Sequence, residues 1–331
     1  MTRKIVINGR FLSRRVTGVE RYGREIVRLF SGDYRVEKTR SNSLAGHTWE
    51  QFVLPTKLKS ESILWSPANT GPLLVRNQAL TIHDLSPIEH PEWFEKSFAV
   101  WYRLFLPLLA KRARVIFTPS EYVKRKIQKQ LGIKHVIVTP NGVDSTFFHP
   151  EACQQTYAFP QKYILFVGSL QPRKNLAGLI QAWHAIKNDF KDLWLVIAGT
   201  AGHVFRIVKF WGDERIRFMN YVNEIDLPGL YAQAELLVLP SFDEGFGLPT
   251  IEAMACGTPV IVSNGGALPE VVGDAGLIFD VSKPDDLTKA IRECLSDNNL
   301  RVTLKEKGLA RVKNFSWQQT AELVWNTLNE I

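Results

Sequence analysis

PSFDEGFGLPTIEAMACGTPV, residues 240–260, decides the fold. The apolar run 234–239 ahead of it reads as a strand, and the glycine-rich turn after that run leads into a helix. Glu244 and Glu252 stand eight residues apart across the turn and the helix start. A helix N-terminus attracts anions, because its first backbone N–H groups lack partners and its dipole is positive there. Two carboxylates beside that end are not phosphate holders. They are suited to accepting hydrogen bonds from hydroxyls, which sugars and riboses carry in number. The plain alternative is that both glutamates only cap and solvate the helix start; the glycines packed between them favour a ligand. The backbone N–H groups of Gly245, Phe246 and Gly247 can face a sugar or a diphosphate, and Thr250 can donate to a phosphate or cap the helix.

Short apolar runs alternate with helical stretches along the chain, the pattern of doubly wound α/β domains. Strands are expected at 4–8, 63–66, 79–82, 115–118 and 136–139, with helices near 19–29, 48–54, 97–110 and 121–131. A second alternation has strands at 163–167, 193–197, 216–218, 236–239, 259–262 and 276–279. Its helices fit 176–187, 227–232, 249–256 and 284–295. A length of 331 residues exceeds what one core usually serves. The expected division is an N-terminal Rossmann-like domain over 1–155 and a C-terminal Rossmann-like domain over 156–315. Residues 151–160 read as a polar linker, and a last helix, 316–331, as crossing back to the first domain. Two such β/α/β domains face each other across a cleft, and open α/β sheets bind ligands beyond the C-terminal ends of their strands.

Hydrophobic content of 45% and charged content of 22% describe an ordinary folded protein. Cys153, Cys256 and Cys294 show no paired spacing, which suggests a reducing compartment and a cytoplasmic location. The start, MTRKIVING, runs directly into a strand pattern without a leader-like segment. Residues 98–110 are apolar but short and interrupted by Arg103 and Pro107, so no spanning helix is expected. The net charge of +8 is uneven: residues 1–158 hold 24 Lys and Arg against 13 Asp and Glu, whereas 159–331 hold 17 against 20. The first half therefore has reason to meet an anion. No nucleic-acid motif supports DNA or RNA as partner. An anionic membrane surface or lipid-phosphate acceptor fits the segment 93–109, which contains EKSFAVWYRLFLPLL and is followed by Lys111, Arg112 and Arg114. A buried helix with a basic end is the equal alternative.

VGSLQPRKN, residues 167–175, ends a strand, turns at Gly168 and presents Arg173 and Lys174 before a helix. A rigid guanidinium fork beside a compact ammonium can neutralise a departing diphosphate. Gly199 and Gly202 follow the next strand, where a nucleotide can approach the backbone. NGGALPE, residues 264–270, reads as a further wall of the same pocket or as an ordinary βα loop. In the first half, IHD places His83 and Asp84 at a strand end. His83 can bond a sugar hydroxyl or steady charge near an anomeric carbon, and Asp84 can orient it or meet the acceptor. The loop 9–20 carries Arg10, Arg14, Arg15 and Gly18 ahead of a helix. Its arginines are placed to meet an anionic acceptor, and Gly18 permits backbone approach. No His/Cys cluster has metal-ligand spacing, and no DxD pair, GxxxxGK[ST] loop or GxSxG elbow is present. No obligatory metal or other cofactor is expected.

FVGSLQPRKN, FDEGFGLPTIEAMACGTPV and NGGALPEVVGDAG, supported by IHDL, FTPSEYVKRKI and TPNGVD, give the chain its resemblance to the retaining glycosyltransferases of family 4, which have the GT-B fold. The resemblance implies that Glu244 contacts the donor sugar and Glu252 the nucleotide ribose. It implies further that Arg173 and Lys174 hold the donor diphosphate and that His83 lies near the donor sugar's O6. Gly18 matches a glycine of the acceptor loop, while Thr17 stands where many members carry a second glycine. INGRFL…TGVERY and IHDLSPIEHPEWF resemble bacterial mannosyltransferases that build surface polysaccharides, which makes GDP-mannose the expected donor. The expected reaction is retaining hexosyl transfer to a saccharide or lipid-linked acceptor. Another hexose from a UDP- or GDP-sugar, a phosphorylase, and a noncatalytic sugar-nucleotide-binding protein are the alternatives.

Overall fold

A computed structural model of the chain describes residues 4–39, 41, 44–154, 162–200 and 213–331. Gly202 and most of the 151–160 linker lie outside them, as does the side chain of Cys153. The chain divides into two compact units. One comprises Met1–Pro91, Lys96–Gly142 and Ser316–Ile331; the other comprises Glu92–Glu95 and Val143–Phe315.

The first unit is built on six parallel strands: β1 Lys4–Asn8, β2 Tyr34–Glu37, β3 Ser62–Ser66, β4 Gln78–Thr81, β5 Val115–Thr118 and β6 Val136–Val138. They lie in the order β2-β1-β3-β4-β5-β6. β3, β4 and β5 are buried along their whole length, as strands covered on both faces must be, and their middles read as short apolar runs rather than as an alternation. β2 was not expected from the sequence. It is a four-residue edge strand, YRVE, whose exposed side chains show no apolar signal. Leu80, Ile82, Leu106, Ile116, Val123 and Ile127 form a core between the sheet and the helices Lys96–Arg112 and Glu121–Leu131. Burial of each such side chain contributes about 1.5–3 kcal/mol. The helix expected at 48–54 is instead one α-helical turn, Leu44–Thr48, followed by a π turn, Trp49–Val53, and a 3-10 turn, Leu54–Lys57.

The last helix, Trp317–Glu330, packs within this same unit. Its Trp317 ring meets Tyr22 edge-on at 6.1 Å, Trp325 lies 5.0 Å from Phe30, and the Thr320 hydroxyl donates to the Pro140 carbonyl at 2.7 Å. Gly142 leaves no room for a side chain, since a Cβ there would sit 2.2 Å from the Trp317 nitrogen.

The second unit has six parallel strands as well: β7 Lys162–Val167, β8 Leu193–Ala198, β9 Ile216–Asn220, β10 Leu236–Leu239, β11 Val260–Ser263 and β12 Leu277–Phe279. Their order is β12-β11-β10-β7-β8-β9, the Rossmann arrangement in which strand order reverses between the first and fourth strands of the domain. The reversal lies between β7 and β10 here and between β1 and β3 in the first unit. Trp183, Leu195, Ile197, Val238 and Ile261 lead a core that also takes in Leu287, Ile291 and Leu304. The helix Asn298–Arg311, which carries Leu304, was not expected: it buries little beyond Leu304 and Gly308, so its sequence lacks an apolar stripe.

Candidate functional site

Beyond β7 the chain makes one 3-10 turn, Pro172–Lys174, that sets Arg173 and Lys174 side by side. Pro172 presets the turn. Asn175 ends it in the left-handed region at φ 51° and caps the helix Leu176–Ile186 by accepting the Gly178 N–H at 3.2 Å. Beyond β10 runs the loop 241–247. The Phe242 N–H donates to the Arg173 carbonyl at 2.7 Å, and Arg173 Nη1 donates to the Asp243 carbonyl at 3.0 Å. The two loops are therefore tied together at the point where strand order reverses, which is where open α/β sheets hold ligands.

Glu244 receives both cations. Arg173 Nη1 donates to its Oε2 and Lys174 Nζ to its Oε1. Glu244 is 4% exposed and Lys174 6%. Burial alone would push the Glu244 carboxyl up. The Arg173 guanidinium and the Lys174 ammonium outweigh that effect and hold the carboxyl below the usual carboxylate range. Glu244 is ionised.

The Glu244 backbone is fixed from the opposite side. Its carbonyl accepts the Ala267 N–H at 2.8 Å. A Cβ on Gly266, at φ 71°, would lie 2.2 Å from that oxygen, so the paired glycines of NGGALPE serve backbone-to-backbone packing on the glutamate loop. Gly199 has a similar reason to be glycine: a Cβ there would lie 1.7 Å from the Gly168 carbonyl.

The helix Leu248–Ala255 begins at Gly247 with no side-chain cap and no acid in its first turn. Thr250 Oγ1 is fully buried there and has no hydrogen-bond partner among the described residues. A buried hydroxyl in that condition calls for a partner. Glu252, on the same helix, is 3% exposed, and its Oε2 accepts the Tyr231 hydroxyl at 2.8 Å. Phe246 commits its ring to Phe315, edge-on at 5.6 Å, which leaves its backbone for any ligand role. The second unit thus gathers Gly168, Arg173, Lys174, Gly199, Glu244, Gly245, Phe246, Gly247, Thr250 and Glu252 on the loops after β7, β8 and β10 and the helix that follows.

The first unit carries the remaining residues. His83 follows β4 and is buried. Its N–H donates to Asn69 Oδ1 at 2.7 Å, and its Nε2 lies 2.8 Å from the Pro67 carbonyl. A carbonyl only accepts, so Nε2 bears the proton and Nδ1 the lone pair. Burial lowers the His83 pKa. With Nε2 engaged by the carbonyl, Nδ1 is the ring atom left to accept a hydrogen bond from a hydroxyl. Asp84 Oδ1 accepts the Ser86 N–H at 3.1 Å and is half-buried. Arg14 is half-buried with Nη1 3.8 Å from Glu20 Oε1, while Arg15 and Gly18 are exposed. Thr17 and Glu20 close a capping box at the start of the helix Gly18–Arg28, which gives Thr17 a structural role.

One cluster is new. Arg10 Nη1 donates to Glu50 Oε2 at 3.0 Å and to Thr70 Oγ1 at 3.3 Å, while Asn8 Nδ2 donates to Glu50 Oε1 at 2.6 Å. The Thr70 hydroxyl in turn donates to Glu50 Oε1 at 2.9 Å. Arg10 and Glu50 are 2% and 0% exposed. This network fills the β1/β3 reversal, so Arg10 is held by Glu50 and is not an acceptor-facing cation as expected. Glu50 gave no signal in the sequence, because its partners lie 20 to 42 residues away and its own turn is a π turn. Among the described residues no His, Cys, Asp and Glu are grouped to hold a metal ion.

A carboxyl whose pKa is lowered by folding adds stability above its ordinary value of 4.5, and that stability is lost as pH falls through the folded value. Glu244→Gln is expected to lose about 3 kcal/mol at neutral pH by leaving Arg173 and Lys174 without their counter-charge. Urea unfolding across pH measures it. The gap between the two proteins should narrow as pH falls below 4.5 and close once it passes the lower folded value, where native Glu244 takes up its proton; a gap independent of pH would contradict an ionised Glu244.

Comparison with known proteins identifies the family and the fold. Residues 154–311 match the family described as Glycosyl transferases group 1, and residues 63–147 match Glycosyltransferase Family 4. The chain is 35% identical over 252 residues to O-antigen chain mannosyltransferase B of Escherichia coli, covering 72% of this chain and 66% of that one. It is 31% identical over 244 residues to O-antigen chain mannosyltransferase RfbU of Salmonella typhimurium, covering 72% and 65%. The chain therefore spans two thirds or less of the length of these curated relatives. Its fold is similar to that of sucrose-phosphate synthase from Thermosynechococcus elongatus, with TM-score 0.77, 18% identity and 100% and 99% of the two chains covered. Anabaena HepE, in a structure with UDP-glucose, gives TM-score 0.77 and 18% identity over 100% of both chains. The chain belongs to the group 1, family 4 glycosyltransferases and has their GT-B fold of two Rossmann-like domains.

Proposed function

We propose that the protein transfers a hexose from a nucleotide-sugar donor to a hydroxyl of a saccharide or lipid-linked saccharide acceptor, with GDP-mannose as donor and with retention at the anomeric carbon. The observation that carries this reading is the convergence of Arg173, Lys174 and Glu244 at the β7/β10 reversal, beside a helix N-terminus that holds the unpartnered Thr250 hydroxyl. Arg173, Lys174 and the backbone N–H groups of Gly245–Gly247 neutralise the donor diphosphate; Gly168 and Gly199 let it approach. Glu244 accepts hydrogen bonds from donor-sugar hydroxyls and Glu252 from the ribose. The mannose assignment follows the relatives, which are named mannosyltransferases. Transfer of another hexose from a UDP- or GDP-sugar is the second reading.

In the reaction, the acceptor oxygen attacks the anomeric carbon on the face from which the diphosphate departs. The bond from that carbon to the phosphate oxygen breaks, the new glycosidic bond forms, and the acceptor proton passes to the departing phosphate oxygen. Negative charge growing on the diphosphate is met by Arg173, Lys174 and the helix N-terminus. Glu244, ionised and tied to two cations, is suited to hydroxyl binding rather than to covalent attack. His83 accepts a sugar hydroxyl through Nδ1, and Arg14, Arg15, Gly18 and Asp84 serve the acceptor. The chemistry routes no step through a metal. A panel of GDP- and UDP-sugars, scored for transfer and product configuration, tests the reading: GDP-mannose should give a product of unchanged anomeric configuration. Lys174→Ala should lower kcat about a hundredfold or more. Full turnover in that variant, or an inverted product, would contradict the proposal.

The protein is proposed to work at the cytoplasmic face of an anionic membrane. Val100, Leu104 and Leu108 recur at helical spacing on Lys96–Arg112 and are 57%, 66% and 54% exposed. Exposed Arg103, Lys111, Arg112 and Arg114 border this stripe. Apolar side chains beside cations suit the interface of an anionic bilayer. No helix among the described residues is long and apolar enough to cross a membrane. Cosedimentation with phosphatidylglycerol vesicles should be lost in Leu104→Ser/Leu108→Ser and should be weak with neutral phosphatidylcholine; equal sedimentation of variant and wild type would contradict the assignment.

A further inference from the structure

Glu244 occupies the same two cations that the donor diphosphate would need. Arg173 Nη1 and Lys174 Nζ donate to its two carboxylate oxygens, and all three groups are largely buried, where charge–charge interactions are strong. The carboxylate cannot withdraw with its loop. The Ala267 N–H holds its backbone carbonyl, Gly266 packs against that carbonyl, and the adjoining Phe242 N–H is bound to the Arg173 carbonyl. Only the Glu244 side chain is left to rotate. A diphosphate entering here must therefore draw Arg173 and Lys174 away from Glu244, and the buried carboxylate then needs new donors.

We propose that Glu244 sets the site's preference for a sugar-bearing nucleotide over the bare nucleoside diphosphate. This rests on the donor-site reading above. A nucleotide sugar takes the cations with its diphosphate and repays the carboxylate with sugar hydroxyl donors. A bare nucleoside diphosphate takes the cations, supplies no hydroxyl at that place and brings an additional negative charge on its terminal phosphate. It leaves Glu244 buried, ionised and short of donors. The same competition loosens the nucleoside diphosphate after transfer, because the carboxylate reclaims Lys174 and Arg173 once the sugar has gone. Glu244 is thus a specificity-determining residue as well as a sugar contact. It discriminates by repulsion against the product, in addition to attraction for the donor.

Calorimetric titration of wild type, Glu244→Gln and Glu244→Asp with GDP, GDP-mannose, UDP and UDP-glucose tests the inference. Glu244→Gln should bind the bare diphosphate of the preferred base about tenfold more tightly than wild type does, equivalent to about 1.4 kcal/mol. Its affinity for the matching nucleotide sugar should fall. Glu244→Asp, which keeps the charge, should not show the gain. Unchanged or weaker diphosphate binding by Glu244→Gln, with wild type binding both ligands, overturns the inference and leaves the donor site intact. A wild type that binds none of the four ligands overturns the donor-site reading and the inference together. Should Glu244→Gln not fold, carboxyl ¹³C NMR of wild type decides. GDP should displace the Glu244 resonance as its cations are withdrawn, and a bound diphosphate that leaves it unmoved overturns the inference.

Discussion

Everything at the β7/β10 reversal depends on one buried ionic contact, Glu244 held between Arg173 and Lys174. Three charged groups taken out of water are a poor device for stability, since well-packed apolar residues of similar volume often do as well or better. Their presence is better explained by what they meet. The turn Pro172–Lys174 and the loop 241–247 are bound to each other through backbone hydrogen bonds, so the cations and the carboxylate are set by main-chain geometry. Gly199, Gly247 and Gly266 stand where a side chain would collide with the neighbouring loop or helix.

The two sheets use their reversals differently. In the first unit the equivalent place is closed by Arg10, Glu50, Asn8 and Thr70, which bond one another and leave Arg10 and Glu50 almost wholly buried. That network reads as a rigid floor. The residues nearer the surface, Arg14, Arg15 and Gly18, belong to the loop and helix start just beyond it. In the second unit the corresponding groups form ion pairs, which on the proposed reading an entering diphosphate exchanges.

Much of this was legible in the sequence because the chemistry is local there. Strands buried on both faces announce themselves as apolar runs, and the glycines around Glu244 and after β7 mark where backbones come close. The edge strand Tyr34–Glu37 and the charged helix Asn298–Arg311 were not legible, since neither buries enough apolar surface to leave a pattern. Arg173, Lys174 and Glu244 could be named individually. Their pairing could not, because it joins side chains 70 and 71 residues apart through the folding of the sheet. The same holds for the Arg10–Glu50 contact and for the proton on His83, which is assigned by a carbonyl 16 residues away.

The most direct test of the account is a crystal structure of the protein with GDP or UDP bound. The diphosphate should lie at the C-terminal ends of β7 and β10, within hydrogen-bond reach of Lys174 Nζ and Arg173, with the Glu244 side chain turned away from both. A nucleotide seated elsewhere, or seated there while Lys174 and Arg173 remain on Glu244, would contradict it.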